Sequence, residues 1–239
     1  MFNFFKKSNK VTDMSWLGVD IHSHILPGID DGAKDMNESM SYIDQMQQLG
    51  YEKLIFTPHI FKELYPNSKE TILPVLAQVK EKLSDSIKVG AAAEYMIDGD
   101  FEITNDLMAL PNKYLLIEMS YLSESPNIEQ IVFELQVNGY KVVLAHPERY
   151  NFYHKTLDKY ERLNDIGCLF QLNLLSLTGY YGNSVKQATD YLISKRLYRF
   201  AGSDLHHEKH MRVLNESVRS GKLHSMIGHY EFLNKEVFS

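Results

Sequence analysis

The stretch Asp20-Ile21-His22-Ser23-His24 sets two imidazoles one residue apart, and Asp30 and Asp31 follow in the loop after it. Further along, short apolar runs end in the same kinds of residue. "KLIFTPH" closes on His59, "IKVGAAAEY" carries Glu94, "YLLIEMS" Glu118, "KVVLAHPER" His146, and "YRFAGSDLHH" Asp204 and His206. Imidazole and carboxylate without thiolate suit Mn²⁺, Fe²⁺, Co²⁺ or Zn²⁺ in open five- or six-coordinate sites, not a structural zinc knot. The candidates outnumber the ligands of one ion. Two or three ions sharing carboxylates fit better, with Glu94 a plausible bridge. Four carboxylates (Asp31, Glu94, Glu118, Asp204) facing three divalent ions leave a positive site, before Arg149 is added. Such a site attracts a phosphate dianion. Arg149, three residues beyond His146, can hold phosphate oxygens in a bidentate fork and stabilise transition-state charge.

These residues need a scaffold that brings them together. Seven apolar runs, each followed by a mostly helical stretch, read as buried parallel strands with crossover helices. Residues at i and i+2 of a strand share a side, so His22 with His24, and Asp204 with His206, could each grip an ion. The helices carry their own punctuation. Asp35 and Glu38 form a capping-box pattern before Met36, Met40, Ile43 and Met46, and Gly50 ends that element. Asn127 opens a helix closed by Gly139, and Asn183 opens another. The expected fold is α/β: a distorted TIM-like (β/α)7 barrel with the polar residues at the C-terminal ends of its strands. A lone strand-end histidine is more often a hydrogen-bonded residue than a ligand. Five imidazoles and three carboxylates at corresponding ends of six runs are not explained that way.

Composition bounds the rest. The chain has 239 residues, enough for one sizeable core. A net charge of −6 argues against a nucleic-acid binder relying on a basic surface. One cysteine, Cys168, cannot form an internal disulfide, which points to a reducing, cytoplasmic compartment. No apolar stretch approaches the ~18 residues of a membrane span. Residues 1–14 are expected to be a flexible tail and residues 15–239 a single domain.

The motif series "DIHSHILPGIDDGA", "TPH", "AAEY", "LIEMS", "AHPERY" and "AGSDLHH" resembles that of the PHP (polymerase and histidinol phosphatase) superfamily. It is most similar to the bacterial CpsB/CapC type of metal-dependent tyrosine phosphatase. The likeness runs from about Asp20 to about His207 in motif order. It implies a trinuclear, usually manganese-dependent site, with Fe²⁺, Co²⁺ or Zn²⁺ as alternatives. By motif, His22, His24, Glu94 and Asp204 would hold one ion, Glu94, Glu118 and His146 a second, and Asp31, His59 and His206 a third. Arg149 would bind phosphate, and Asp30 would either back a ligand or support the turn. The resemblance also implies a substrate, phosphotyrosine on a bacterial tyrosine kinase controlling capsule or exopolysaccharide export. It leaves a homo-oligomer open.

The chemistry expected is hydrolysis by a water whose pKa coordination lowers to about 7, with no covalent enzyme intermediate. His206 is a candidate proton donor if not committed as a ligand. Cys168 sits in "DIGCLF" with no Cys-x5-Arg loop, which argues against the cysteine-nucleophile route. The rival readings are another PHP phosphoesterase, acting on histidinol phosphate or nucleotides, and an inactive metal-binding docking module.

Overall fold

The computed structural model describes residues 10–83, 87–97 and 101–239. Nine strands alternate with eight α-helices among them. The order is β1 (Val19–Asp20), α1 (Met36–Gln48), β2 (Lys53–Phe56), β3 (His59–Ile60), α2 (Lys69–Lys82), β4 (Lys88–Ala91), β5 (Glu94–Met96) and β6 (Tyr114–Glu118). Then come α3 (Ile128–Val137), β7 (Lys141–Ala145), α4 (Asp158–Asp165), β8 (Leu169–Asn173), α5 (Asn183–Ser194), β9 (Tyr198–Gly202), α6 (Glu208–Arg219), α7 (Lys222–Ile227) and α8 (Asn234–Phe238). All strand pairs are parallel, in two sheets ordered β1-β2-β4 and β3-β5-β6-β7-β8-β9.

The seven apolar runs thus become nine strands, because two of them break. Pro58 has no N–H for the ladder, and it separates β2 from β3. In the next run the Ala93 amide turns away to the Met108 carbonyl (2.9 Å), which separates β4 from β5. His59 and Glu94 therefore open strands at breaks, where the expectation had them closing strands. β1 is also shorter than its run. His22 and His24 lie just past it in extended chain, where Ser23 forms a parallel bridge to Leu205. Two hydrogen bonds flank that bridge, His24 N to Leu205 O (2.9 Å) and Asp204 N to His22 O (2.8 Å). They tie the first run to the last.

The strands are apolar on both faces, and the two faces feed two clusters. Val142 and Leu144 of β7 join the larger cluster under the helices. Val143 and Ala145, with Val19, Leu116 and Phe200, form the smaller one. α8 closes that smaller core: the Phe238 ring lies 5.4 Å from Tyr114 and 5.2 Å from Phe200. This plug comes from beyond His207, where the motif series ends. Phe238→Ala is expected to cost about 3–5 kcal/mol in urea unfolding. A loss below about 1 kcal/mol would mean the plug is dispensable, since that is what surface sites show.

Helix starts follow local chemistry with one change. Asp35 accepts from the amides of Asn37 (2.8 Å) and Glu38 (3.0 Å), as an N-cap should. The Glu38 carboxylate reaches the Lys34 amide (2.8 Å) instead of that of Asp35, so the box is not reciprocal. Asn183 is the first residue of α5, with Gly182 at the cap position. Of the tail expected over residues 1–14, residues 1–9 lie outside the described residues. Met14 is fully buried and its amide donates to the Leu49 carbonyl (2.7 Å), so the packed chain starts before residue 15.

Candidate metal centre

Nine side chains named from the sequence meet in one cluster: His22, His24, Asp31, His59, Glu94, Glu118, His146, Asp204 and His206. They fall into four overlapping groups whose donor atoms lie within 4.8 Å of one another. The groups are His24, Asp31, His59 and His206; His22, His24 and Glu94; His22, His146 and Asp204; and His59, Glu94 and Glu118. These groups overlap the sets implied by the resemblance without reproducing them: His59 joins Glu94 and Glu118, and His146 joins His22 and Asp204.

Glu94 is the hub. It is fully buried, and neither carboxylate oxygen has a hydrogen-bond partner. Yet Oε2 lies 3.3 Å from His22 Nε2 and 3.2 Å from His59 Nδ1, and Oε1 lies 3.1 Å from His146 Nε2. The donor atoms are close without being aimed at one another, as expected where they converge on a shared cation. A buried carboxylate without such a partner is costly. This donor set therefore fits divalent ions.

Supporting contacts orient the imidazoles. His22 Nδ1 pairs with Gln171 Oε1 (2.7 Å), and His206 Nδ1 with the Asp204 carbonyl (2.9 Å). His24 Nδ1 pairs with Asp30 Oδ2 (2.7 Å). Each leaves Nε2 toward the cluster, the usual arrangement behind a ligating histidine. Asp30 also accepts from the amides of Gly32 (3.0 Å) and His59 (3.1 Å). That resolves the double aspartate: Asp30 is spent on positioning and Asp31 stays half-exposed at the cavity. Gly32 must be glycine, because a Cβ there would sit 1.7 Å from the His24 carbonyl oxygen.

Asp204 divides its two oxygens. Oδ1 faces His22 (3.4 Å), His24 (3.6 Å) and His206 (3.4 Å). Oδ2 accepts from Arg149 NH1 and Asn173 Nδ2, each at 2.7 Å. Asp204 and His146 also hold left-handed backbone, with φ of +50° and +34°. Strained conformations of this kind persist where the surroundings over-determine them, as at functional sites.

Gln171, Asn173, Tyr121 and Tyr181 were missed at the sequence level. Gln171 and Asn173 stand at i and i+2 of β8, two polar residues on one face of an apolar strand, and that spacing was the available signal. Glu148, the neighbour of Arg149 in sequence, does not pair with it. It accepts from Asn173 N and Tyr198 OH, both at 2.9 Å. Cys168 is buried outside the cavity, and burial pushes its thiol up to about 12, far from a nucleophile.

The cavity over the cluster measures about 370 Å³. The rest of its lining includes an apolar and aromatic wall of Phe61, Leu64, Tyr65 and Met96. Charge is finely balanced below. Burial opposes ionisation of Glu94, but the adjacent imidazoles, His22 foremost and then His146, outweigh it and hold the carboxyl well below its usual range. Burial and His59 oppose a proton on His24, but Asp30 and Glu94 prevail and lift it to about 10. Burial and His24 push His206 down to about 4, an uncharged imidazole at neutral pH.

These shifts have a measurable consequence. With its pKa raised to about 10, His24 should hold its second ring proton at neutral pH in metal-free protein, and a cation must displace that proton. Divalent-metal affinity should therefore fall as pH drops from 8 to 6, with about one proton or more released per chain. Calorimetry in buffers of differing ionisation enthalpy reads this directly. A pH-independent affinity would mean that the imidazoles are not ligands.

Similarity to known proteins agrees with the geometry. The sequence profile described as "Capsular polysaccharide synthesis, CpsB/CapC" matches residues 18–220. CapC of Staphylococcus aureus is 32% identical over 200 residues, covering 79% of this chain and 76% of the relative. Tyrosine-protein phosphatase YwqE of Bacillus subtilis is 31% identical over 198 residues, covering 80% and 78%. A solved structure from the pair YwqE of Bacillus subtilis and CpsB of Streptococcus pneumoniae, described as metal-dependent tyrosine phosphatases, superposes with a TM-score of 0.77 at 28% identity. It covers 92% of this chain and 95% of that one. The lactonase Lmo2620 of Listeria monocytogenes shares the fold alone (TM-score 0.56, 12% identity, 94% and 92% coverage). With most of its length matched by the profile and by relatives above 30% identity, this chain belongs to the CpsB/CapC family of capsular polysaccharide synthesis proteins.

Proposed function

We propose that this chain is a metal-dependent protein-tyrosine phosphatase that hydrolyses phosphotyrosine without a covalent enzyme intermediate. One observation carries the reading: fully buried Glu94, without hydrogen-bond partners and ringed by imidazoles, two of which (His59 and His146) line a cavity together with Arg149. The names of the relatives YwqE and CpsB favour phosphotyrosine, and so does the aromatic wall, which suits an aryl group better than an alkyl one. The substrate we favour is a bacterial tyrosine kinase controlling capsule or exopolysaccharide export, met in the cytoplasm. No described helix is long and apolar enough to cross a membrane.

The roles follow from the cluster. His22, His24, Glu94 and Asp204 would hold one ion, Glu94, Glu118 and His146 a second, and Asp31, His59 and His206 a third. Manganese is the ion the family likeness favours, and Fe²⁺, Co²⁺ and Zn²⁺ share the donor chemistry. Bound ions supply a Lewis acid and a water acidic enough to attack phosphorus near neutral pH. Arg149 holds phosphate oxygens and offsets charge as the P–O bond lengthens. The apolar wall keeps the phenyl ring in place and bulk water out. The leaving tyrosinate has an ordinary pKa of about 10, so it departs without a strong acid. His206 is better suited to ligation than to proton donation, being held uncharged. For the fold we infer one distorted seven-unit barrel in a single domain. The unbroken neighbour order of the seven runs and the Ser23–Leu205 bridge support it.

The test is a side-by-side assay of manganese-loaded protein on a phosphotyrosine peptide and on histidinol phosphate. The expected result is much faster turnover of the peptide. Preference for histidinol phosphate would favour another PHP phosphoesterase. No turnover of either substrate with any of the four metals would favour a docking module.

A further inference from the structure

The guanidinium of Arg149 packs over two tyrosine rings. Its central carbon is 4.6 Å from the centre of the Tyr121 ring and 4.2 Å from that of Tyr181. The three residues come from separate loops, after β6, after β7 and before α5. No local sequence effect brings them together. All three line the cavity over the metal cluster. Tyr121 is 40% exposed, so it is poorly explained as core packing.

The in-plane contacts complete the picture. Among the described residues, Arg149 donates one side-chain hydrogen bond, from NH1 to Asp204 Oδ2 (2.7 Å). The Asn173 amide bonds the same oxygen (2.7 Å) and the Tyr181 hydroxyl (3.2 Å). One of the two rings is thus tethered to the carboxylate that Arg149 contacts.

We propose that Tyr121 and Tyr181 are positioning residues that hold the Arg149 guanidinium by their ring faces and aim its free N–H edge at the substrate phosphate. This rests on Arg149 being the phosphate-binding residue. An arginine is long and rich in rotamers. Left loose on a cavity rim, it must be ordered at every binding event, and that cost is subtracted from affinity. Aromatic faces attract the cation and fix its plane. With rings packed over the guanidinium, its in-plane directions remain for hydrogen bonds. Asp204 takes one of them, and the rest are left for a planar, bidentate grip on phosphate oxygens. The pair therefore acts through Arg149 and does not touch the reacting atoms.

The experiment is a double-mutant cycle on manganese-loaded protein. Tyr181→Leu and Tyr121→Leu should each lower kcat/KM on a phosphotyrosine peptide by about five- to thirtyfold, from loss of the aromatic face. Affinity for inorganic phosphate, measured by calorimetry, should fall by a similar factor. Metal content should stay at the wild-type level. Tyr181→Phe and Tyr121→Phe keep the face and should remain within about threefold of wild type. In an Arg149→Ala background, the leucine substitutions should cost less than about twofold more, because the group they hold is gone.

Undiminished leucine effects in that background would overturn the proposal, since the tyrosines would then act by another route. Phenylalanine variants as impaired as leucine variants would overturn it too, by assigning the effect to the hydroxyl. If Arg149→Ala alone left kcat/KM and phosphate affinity unchanged, the phosphate role of Arg149 would fail first. That failure is distinct from an active Arg149 that needs no rings beside it. Should Tyr181→Leu fold poorly, half-exposed Tyr121 provides the same cycle.

Discussion

Glu94→Gln is expected to lower kcat/KM toward a phosphotyrosine peptide by about 10³-fold or more and to remove at least one metal ion per chain. The reason is its place at the centre of the cluster. Its two oxygens lie 3.1–3.3 Å from three imidazoles, and it shares donor groups with His22, His24, His59 and Glu118. An amide keeps the shape but loses the charge, and it points N–H hydrogens where a cation would sit. A catalytic ion contributes several kcal/mol of transition-state stabilisation, and each 1.36 kcal/mol is tenfold in rate, which gives the size of the loss. Kinetics and elemental metal analysis on the same sample check it. A full metal complement with a rate within about tenfold of wild type would sink the bridging role and leave the cluster without its hub.

Arg149→Ala should cost about 10²–10³-fold in kcat/KM, the usual range for losing one preorganised donor to a developing oxyanion. Metal content should hardly change, which separates this variant from Glu94→Gln. Asp204 Oδ2 loses the arginine contact but keeps Asn173 Nδ2 at 2.7 Å, so the aspartate is not left bare. Arg149→Lys should recover only part of the rate, because an ammonium has no planar fork and stacks less well on rings. An unchanged rate for Arg149→Ala would remove the phosphate role. Loss of metal in the same variant would reassign the arginine to holding Asp204.

The ligand-type residues were legible because their signal is local. His22 with His24, and Asp204 with His206, share a side at i and i+2, and the flanking apolar runs mark where strands lie. Their convergence followed from one premise, that the strands are parallel. The breaks at Pro58 and Ala93 were less legible. Proline advertises its missing N–H, but the turn of the Ala93 amide depends on a carbonyl at Met108, fifteen residues away. The plug at Phe238 was invisible, since nothing in "NKEVF" says which core it will close.

By itself, then, the sequence determined which side chains could hold cations, that they lie at the ends of apolar runs, and that the thiol lacks a Cys-x5-Arg loop. Residue type, polarity and period 2 are properties of a short stretch, and they survive without coordinates. Only the tertiary structure decided what orients those side chains: Gln171 on His22 across 149 residues, Asp30 on His24 and not in the cluster, and the tyrosines around Arg149. Such pairings are made by the closing of the fold, which sets the distance between loops that no local pattern relates.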